Sequence, residues 1–505
     1  MTAKALLRRL IVATSVPPFI ALYHAVYRAL IRFAVRRLRR FPSLRAVYLR
    51  RGLAEGRAIP GISDIDLAVV GDWDSGLQNV IAESWGRLAR FCPLYDPAIG
   101  IYTPQSLLEQ FQTDPIARHR LREGQLCWKL LFGEDCLRHL PPVSEDDAAV
   151  GYEGETRVWW TYFSRVAIEG WQSSDRVFVN SLCYKAVAEC IRMDCGLQGR
   201  PLLRLRGPAL QDALAEATGV EAEFLVRLWQ SARRRHLSYR GEILADTHAF
   251  LLPFLERFHG RVRSHPAWRP LAGVGVRIDA PEQERLPPAI APEGIFGNGW
   301  ARVTLVSGTV FAMDEMVILC EPPPGELPEA AMLRSTAHAC AQAFPNPRSR
   351  VSLYLRFRSM AVQFYASDHF RGWQAVLSPA PNPDIFHTGE WTAPAADFVH
   401  LERLLLVEAL GDPVIYKANN LDFLRMFWKF LELVVVEHSA AHGKAVFAQT
   451  PEAVVRALEC WNAPRPPFLE SFARAYRSEL AGSSAAIGRD LPAAIEYLKA
   501  IHHEL

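Results

Sequence analysis

The chain has 505 residues, of which 50% are hydrophobic and 22% charged, with a formal net charge of +3. Its length exceeds one ordinary core and points to three or four folded units; its composition excludes wholesale disorder, and its near neutrality excludes a uniformly basic nucleic-acid binder. Nine scattered cysteines without a Cys-x-x-Cys pair argue for reduced thiols in a cytoplasmic protein and against structural zinc.

The stretch from Leu6 to Val35 is apolar, but Arg8, Arg9, the Pro17-Pro18 break, Arg28 and Arg32 interrupt it. No uncharged run approaches the ~20 residues that a span requires, so no stable membrane insertion is expected. An amphipathic helix is expected from about Pro18 to Arg40. The arginines at its end, Arg36, Arg37, Arg39 and Arg40, read as a solvated basic patch, with anionic lipid or RNA as the alternative contact.

From Tyr48 to Gly61 a short apolar strand runs into a loop with three glycines and Pro60. The sequence Ser63-Asp64-Ile65-Asp66-Leu67 then opens a run of β-formers, Ala68-Val69-Val70. Alternation along such a strand puts Asp64 and Asp66 on one face and Ile65 and Leu67 on the other. Two neighbouring anions repel unless a cation or a shared proton compensates them, and an all-oxygen pair suits a hard ion such as magnesium. An Asp-x-Asp turn capping a surface strand is the competing reading.

These residues resemble the nucleotidyltransferase domain of the DNA polymerase beta superfamily, in which a Gly-Ser loop precedes Ser-Asp-Ile-Asp-Leu on a strand. The downstream half matches closely. In the upstream half the family's Gly-Ser falls on Arg51-Gly52, or in a second alignment on Gly52-Leu53, so its serine is absent either way. The resemblance implies an α+β fold: a polymerase beta-like sheet followed by a helical bundle. It also implies Mg2+ held by Asp64 and Asp66, and an NTP, taken as ATP, whose phosphates meet Arg51, Gly52 and Ser63.

Farther along, Asp74 or Ser75 is expected to cap a helix from about Leu77 to Phe91, with a strand following over about Leu94 to Tyr102. The family carries a third carboxylate on that strand as general base and metal ligand, and Asp96 is the matching position; a surface turn at Tyr95-Asp96-Pro97 is the alternative. A capped helix start is expected at Thr103-Pro104. Trp128 to Leu137 looks like the segment that ends such domains, with its turn at Gly133. From Glu155 to about His259 the pattern is helical. Lys185, following Tyr184, is placed to reach a triphosphate across the cleft, although a snorkelling surface lysine reads equally well.

The chain also looks duplicated. Tyr184-Lys185 recurs as Trp428-Lys429, Ala213-Leu214 as Ala457-Leu458, Phe224-Leu225 as Phe468-Leu469, and His259 as His503, always 244 residues apart. With small gaps, Ile99 to Tyr102 falls on Ser352 to Leu355, 253 apart, and Asp66 to Val70 falls on Asp314 to Ile318. Asp64 then corresponds to Ala312, so the second copy has lost the chemistry. The organisation expected is a nucleotidyltransferase domain with its N-terminal helix over 1–150 and a helical bundle over 151–262. A linker with a degenerate α+β copy follows over 263–397, and a C-terminal bundle over 398–505. The apolar helices of that last bundle also suit an oligomer or partner-subunit interface.

The function implied is a magnesium-dependent transfer of a nucleoside monophosphate from an NTP to a hydroxyl on a small molecule, a protein or RNA, with pyrophosphate leaving. The alternative is an inactive binding or scaffold protein of the same ancestry.

Overall fold

The computed structural model describes residues 3–56, 58–96, 99–113, 115–142, 176–199, 242–265, 275–279, 302–308, 315–321, 350–355, 374–377, 420–448, 450–461, 463–480 and 490–504, with single positions between them. The chain is mixed α+β and divides into two compact units. The first comprises 1–163 and 173–251, the second 164–172 and 252–505.

The first unit opens with two helices, α1 (Ala3–Thr14) and α2 (Phe19–Leu38). Only the second was expected from the sequence. Strand β1 (Leu44–Leu49) then leads into a one-turn helix, α3 (Arg51–Ala54), and strand β2 (Leu67–Gly71). Helix α4 (Ser75–Phe91) follows, and its N-cap is Asp74, whose carboxylate accepts the Leu77 N–H at 2.8 Å. Strand β3 (Gly100–Tyr102) is shorter than the sequence suggests, because the segment before it touches the sheet only through a bridge between Ile65 and Tyr95. Thr103 and Ser106 then exchange reciprocal bonds that start α5 (Pro104–Thr113). Helix α6 (Pro115–Cys127) and strand β4 (Lys129–Gly133) complete the sheet.

The strand order is β3-β2-β1-β4, with β2 and β3 parallel and the other pairs antiparallel. Alternating residues serve opposite faces. Ile65, Leu67 and Val69 join Tyr27, Ala34 and Leu38 of α2 and Ile81, Trp85 and Leu88 of α4 in one core. Ala68 and Val70 join Ala46, Tyr48, Leu107, Phe111 and Leu121 in the other, beneath α5 and α6. The bundle that follows contributes α7 (Arg176–Leu197) and α8 (Glu242–Ser264), the latter continuing past Leu251 into the second unit.

In the second unit β5 (Gly275–Asp279) pairs in parallel with β10 (Lys444–Ala448). Strands β6 (Arg302–Gly308), β7 (Glu315–Glu321), β8 (Arg350–Leu355) and β9 (Gln374–Leu377) form a second four-stranded sheet, ordered β8-β7-β6-β9. Its pair directions repeat those of the first sheet: β7 and β8 parallel, the rest antiparallel. Helices α9 (Asn420–Ala441), α10 (Pro451–Cys460), α11 (Phe468–Leu480) and α12 (Leu491–Glu504) close over an aromatic core of Phe423, Phe427, Trp428, Phe468 and Phe472. Much of the expected linker and degenerate copy over 263–397, including 281–288, lies outside the described residues, as do Ala213-Leu214 and Phe224-Leu225 of the repeat.

Among the described residues no helix is long and apolar enough to cross a membrane, and the seven described cysteines are free thiols.

Gly133 and His248 each support a stability prediction. Gly133 turns the chain at φ +84°, and a Cβ there would stand 1.7 Å from the Arg45 carbonyl oxygen. Gly133→Ala is therefore expected to cost about 2 kcal/mol or more in denaturant unfolding, through both φ and the clash. His248 is fully buried in contact with Phe163, and burial lowers its pKa from 6.5 to about 4. A depressed base binds its proton more readily in the unfolded chain, so stability falls as pH drops from 6.5 towards 4, by at most about 3 kcal/mol from this residue. In His248→Leu the unfolding midpoint should depend less on pH across that window.

Candidate functional site

The loop between β1 and β2 is built by its own polar groups. The Ser63 hydroxyl accepts the Ile59 N–H at 2.9 Å, which shapes the turn and leaves its O–H to donate elsewhere. The Tyr27 hydroxyl, on α2, accepts the Gly61 N–H at 3.2 Å and donates to the Ser63 carbonyl at 2.8 Å. Gly61 sits at φ +84° with its missing Cβ pointing at Ile11 and the Arg8 carbonyl, which lets α1 close onto the loop. Gly52 faces the Ser63 hydroxyl, with its Cβ position 3.9 Å away.

Asp64 and Asp66 flank the fully buried Ile65 at the mouth of β2. The Ile65 N–H bonds to the Leu94 carbonyl at 2.7 Å, and the Asp96 N–H to the Ile65 carbonyl at 3.0 Å, so the segment bearing Asp96 runs beside them. Ile65 and Tyr95 both point into the core shared with α2 and α4. Alternation therefore turns Asp64, Asp66 and Asp96 to the opposite face.

Two arginines meet them there. Arg51 Nε lies 2.9 Å from Asp66 Oδ2, and Arg50 Nε lies 3.5 Å from Oδ1. The Arg50 guanidinium is mostly buried and stacks on Trp128, 4.8 Å from the ring centroid. Arg51 is different: 61% of its side chain remains open. Burial opposes its charge, but Asp66, then Asp96, Glu155 and Glu123, outweigh that effect and raise its pKa. Its backbone is left-handed at φ +51°, the region glycine enters most easily.

Lys185 on α7 belongs to the same neighbourhood. It is exposed, yet burial lowers its pKa; Asp64 opposes the shift and Arg51 adds to it. Arg51 and Lys185 thus share a charged neighbourhood with Asp64, Asp66 and Asp96, and Gly52 and Ser63 lie on the loop beside it. Sequence reasoning missed Arg50, although it adjoins Arg51, and it missed the charged layer behind both. In that layer Arg192, almost fully buried, bonds to Glu123 at 3.0 Å and Glu189 at 2.9 Å, and Arg120 pairs with Glu155. Such a layer has no sequence signature, because its members come from α6, α7 and the segment between.

For a magnesium ion the donors fit in kind: three carboxylates on one face, all oxygen. They are not gathered as a site while Asp66 engages the two arginines, and among the described residues no three His, Cys, Asp or Glu side chains are close enough to hold an ion. In the second unit the lysine that recurs, Lys429, bonds Glu432 of its own helix at 2.8 Å.

No family model matches the chain, and no curated protein matches it.

The arginine pair separates the roles of the two aspartates. Removing the charge of Asp66 strands Arg50 in a dry site, so Asp66→Asn is expected to destabilise the first unit by about 3 kcal/mol. Asp64→Asn, at a half-buried position outside the arginine pair, should cost less, about 1 kcal/mol or under. Urea unfolding of the two variants measures the difference.

Proposed function

We propose that the chain is a nucleotidyltransferase of the polymerase beta type, carrying a nucleoside monophosphate from an NTP, taken as ATP, to a hydroxyl acceptor. The observation that supports this reading is the mixed charge at one strand edge, where Arg51 pairs with Asp66 and also feels Asp96, and Lys185 feels Asp64 and Arg51. Carboxylates alone suit a cation and cations alone suit an anion; interleaved, they suit a triphosphate that arrives with its counter-ion.

On this reading Arg51 and Lys185 hold the β and γ phosphates, and Gly52 lets the backbone approach them. A phosphate oxygen draws the Arg51 guanidinium from Asp66, which frees that carboxylate. Asp64, Asp66 and Asp96 would be the residues to hold magnesium, which would supply charge neutralisation on the phosphates. Asp96 takes the proton of the attacking acceptor oxygen; that oxygen bonds to the α-phosphorus as the bond to the pyrophosphate oxygen breaks.

We also propose that the two sheets descend from one duplicated unit. Their strand order and directions coincide, and α7 and α9 each span 22 residues beginning 244 apart. The pairing register of β7 with β8 sets Val351, not Leu353, opposite the position equivalent to Ala68, a slip of two residues that keeps the same face inward. The second copy supports and does not catalyse: six residues separate Gly308 from Glu315, where seventeen separate Leu49 from Leu67. No room is left for the loop that carries Arg51.

A second reading, nucleotide binding without transfer, is favoured by the Arg50–Asp66–Arg51 arrangement, which neutralises one carboxylate without a metal. Incubating the full chain with each NTP and magnesium separates the two. The enzyme releases pyrophosphate, and Asp64→Asn lowers the rate about a hundredfold or more while nucleotide still binds. Saturable binding without pyrophosphate, unchanged in Asp64→Asn, establishes the second reading; no binding rejects both.

A further inference from the structure

The first 54 residues contain twelve Lys and Arg and not one Asp or Glu. Structure adds what composition cannot show. Helix α2 buries Tyr27, Ala34 and Leu38 and packs Leu30, Ile31 and Val35 against the sheet core. A second apolar row, Phe19, Leu22, Val26, Ala29 and Phe33, repeats at intervals of three and four on another side of the helix, and it is exposed. Phe19 and Phe33 each keep 51% of their surface and Leu22 56%. In α1, Leu6 and Leu10 are as open, at 58% and 59%. A core-facing helix needs one such row, not two.

The basic residues border this second row. At 3.6 residues per turn, Arg28, Arg32 and Arg36 fall on the side next to it, away from the core-facing row. Among the described residues Arg28, Arg32, Arg36 and Arg40 make no ion pair, whereas Arg37 donates to Ser84 and Arg39 stacks on Phe132. The expectation of a simple solvated helix end therefore accounts for the arginines and leaves the leucines and phenylalanines unexplained.

We propose that α2, with the open leucines of α1, is an interfacial docking surface for an anionic lipid bilayer, lying in the headgroup plane without crossing it. Charge complementarity selects an anionic partner, and the apolar row selects lipid over RNA, because acyl chains bury leucine and phenylalanine and a phosphate backbone does not. The proposal stands apart from the nucleotidyltransferase reading, since no residue of that site takes part.

The test is co-sedimentation of the full chain with vesicles of phosphatidylcholine alone and with about one quarter phosphatidylglycerol, at low and high salt. The chain should pellet with the anionic vesicles only and less in high salt. Phe19→Ser/Leu22→Ser/Phe33→Ser and Arg28→Glu/Arg32→Glu/Arg36→Glu should each weaken binding about tenfold or more, with circular dichroism and Tm close to the parent. Equal pelleting with both vesicle types, no pelleting, or undiminished binding by the serine variant overturns the proposal. So does a parent dimer that the serine variant makes monomeric, which would give the row to a second copy. Loss of RNA binding in the serine variant, with vesicles ignored, would give it to RNA.

Discussion

The carboxylate of Asp66 is the anchor of the first unit's working edge. It is 6% exposed and faces Arg50 on one oxygen and Arg51 on the other, while its backbone carbonyl accepts the Arg50 N–H at 2.9 Å. A buried anion of this kind is tolerated only with close partners, and it fixes where those partners stand more than it adds to stability. Arg50 is held against Trp128, and Arg51 is turned through a left-handed residue to reach the same group. The second cation, Arg51, is the one that stays open, and Asp96, Glu155 and Glu123 add to the field that keeps it charged.

The sheet itself follows from ordinary patterning. Val47, Leu49, Ile65, Leu67 and Val69 form one apolar row and Ala46, Tyr48, Ala68 and Val70 the other, so both faces must be covered, by α2 and α4 on one side and by α5 and α6 on the other. In the second unit the same strand order recurs around a shorter connection between the first two strands. What differs between the two is therefore not the scaffold but the insertion that brings a cation to the strand edge.

Much of this was legible in the sequence because it rests on local rules. Alternation at Asp64 to Val70, the Asp74 cap, the start of α5 at Thr103 and the turn at Gly133 each need only a few neighbouring residues. The less legible parts depend on partners distant in the chain. Helix α1 was read as part of an apolar run because its reason for existing, the close approach to Gly61, is a tertiary contact. The strand before Tyr102 was read as continuous because the sequence does not show that only Ile65 and Tyr95 bridge there. Arg192 and Glu189 on α7 meet Glu123 from α6, a pairing between helices distant in the chain, and the second apolar row of α2 is hidden because a single sequence does not say which row the sheet takes.

One hydroxyl ties the two ends of this arrangement together. Tyr27 belongs to the basic helix, yet its oxygen bridges Gly61 and Ser63, immediately before Asp64. It is buried, and its pKa is raised to about 12 mainly by that burial, so it stays an uncharged donor and acceptor at any physiological acidity. The amino-terminal helix is thereby stapled by one side chain to the backbone immediately before Asp64.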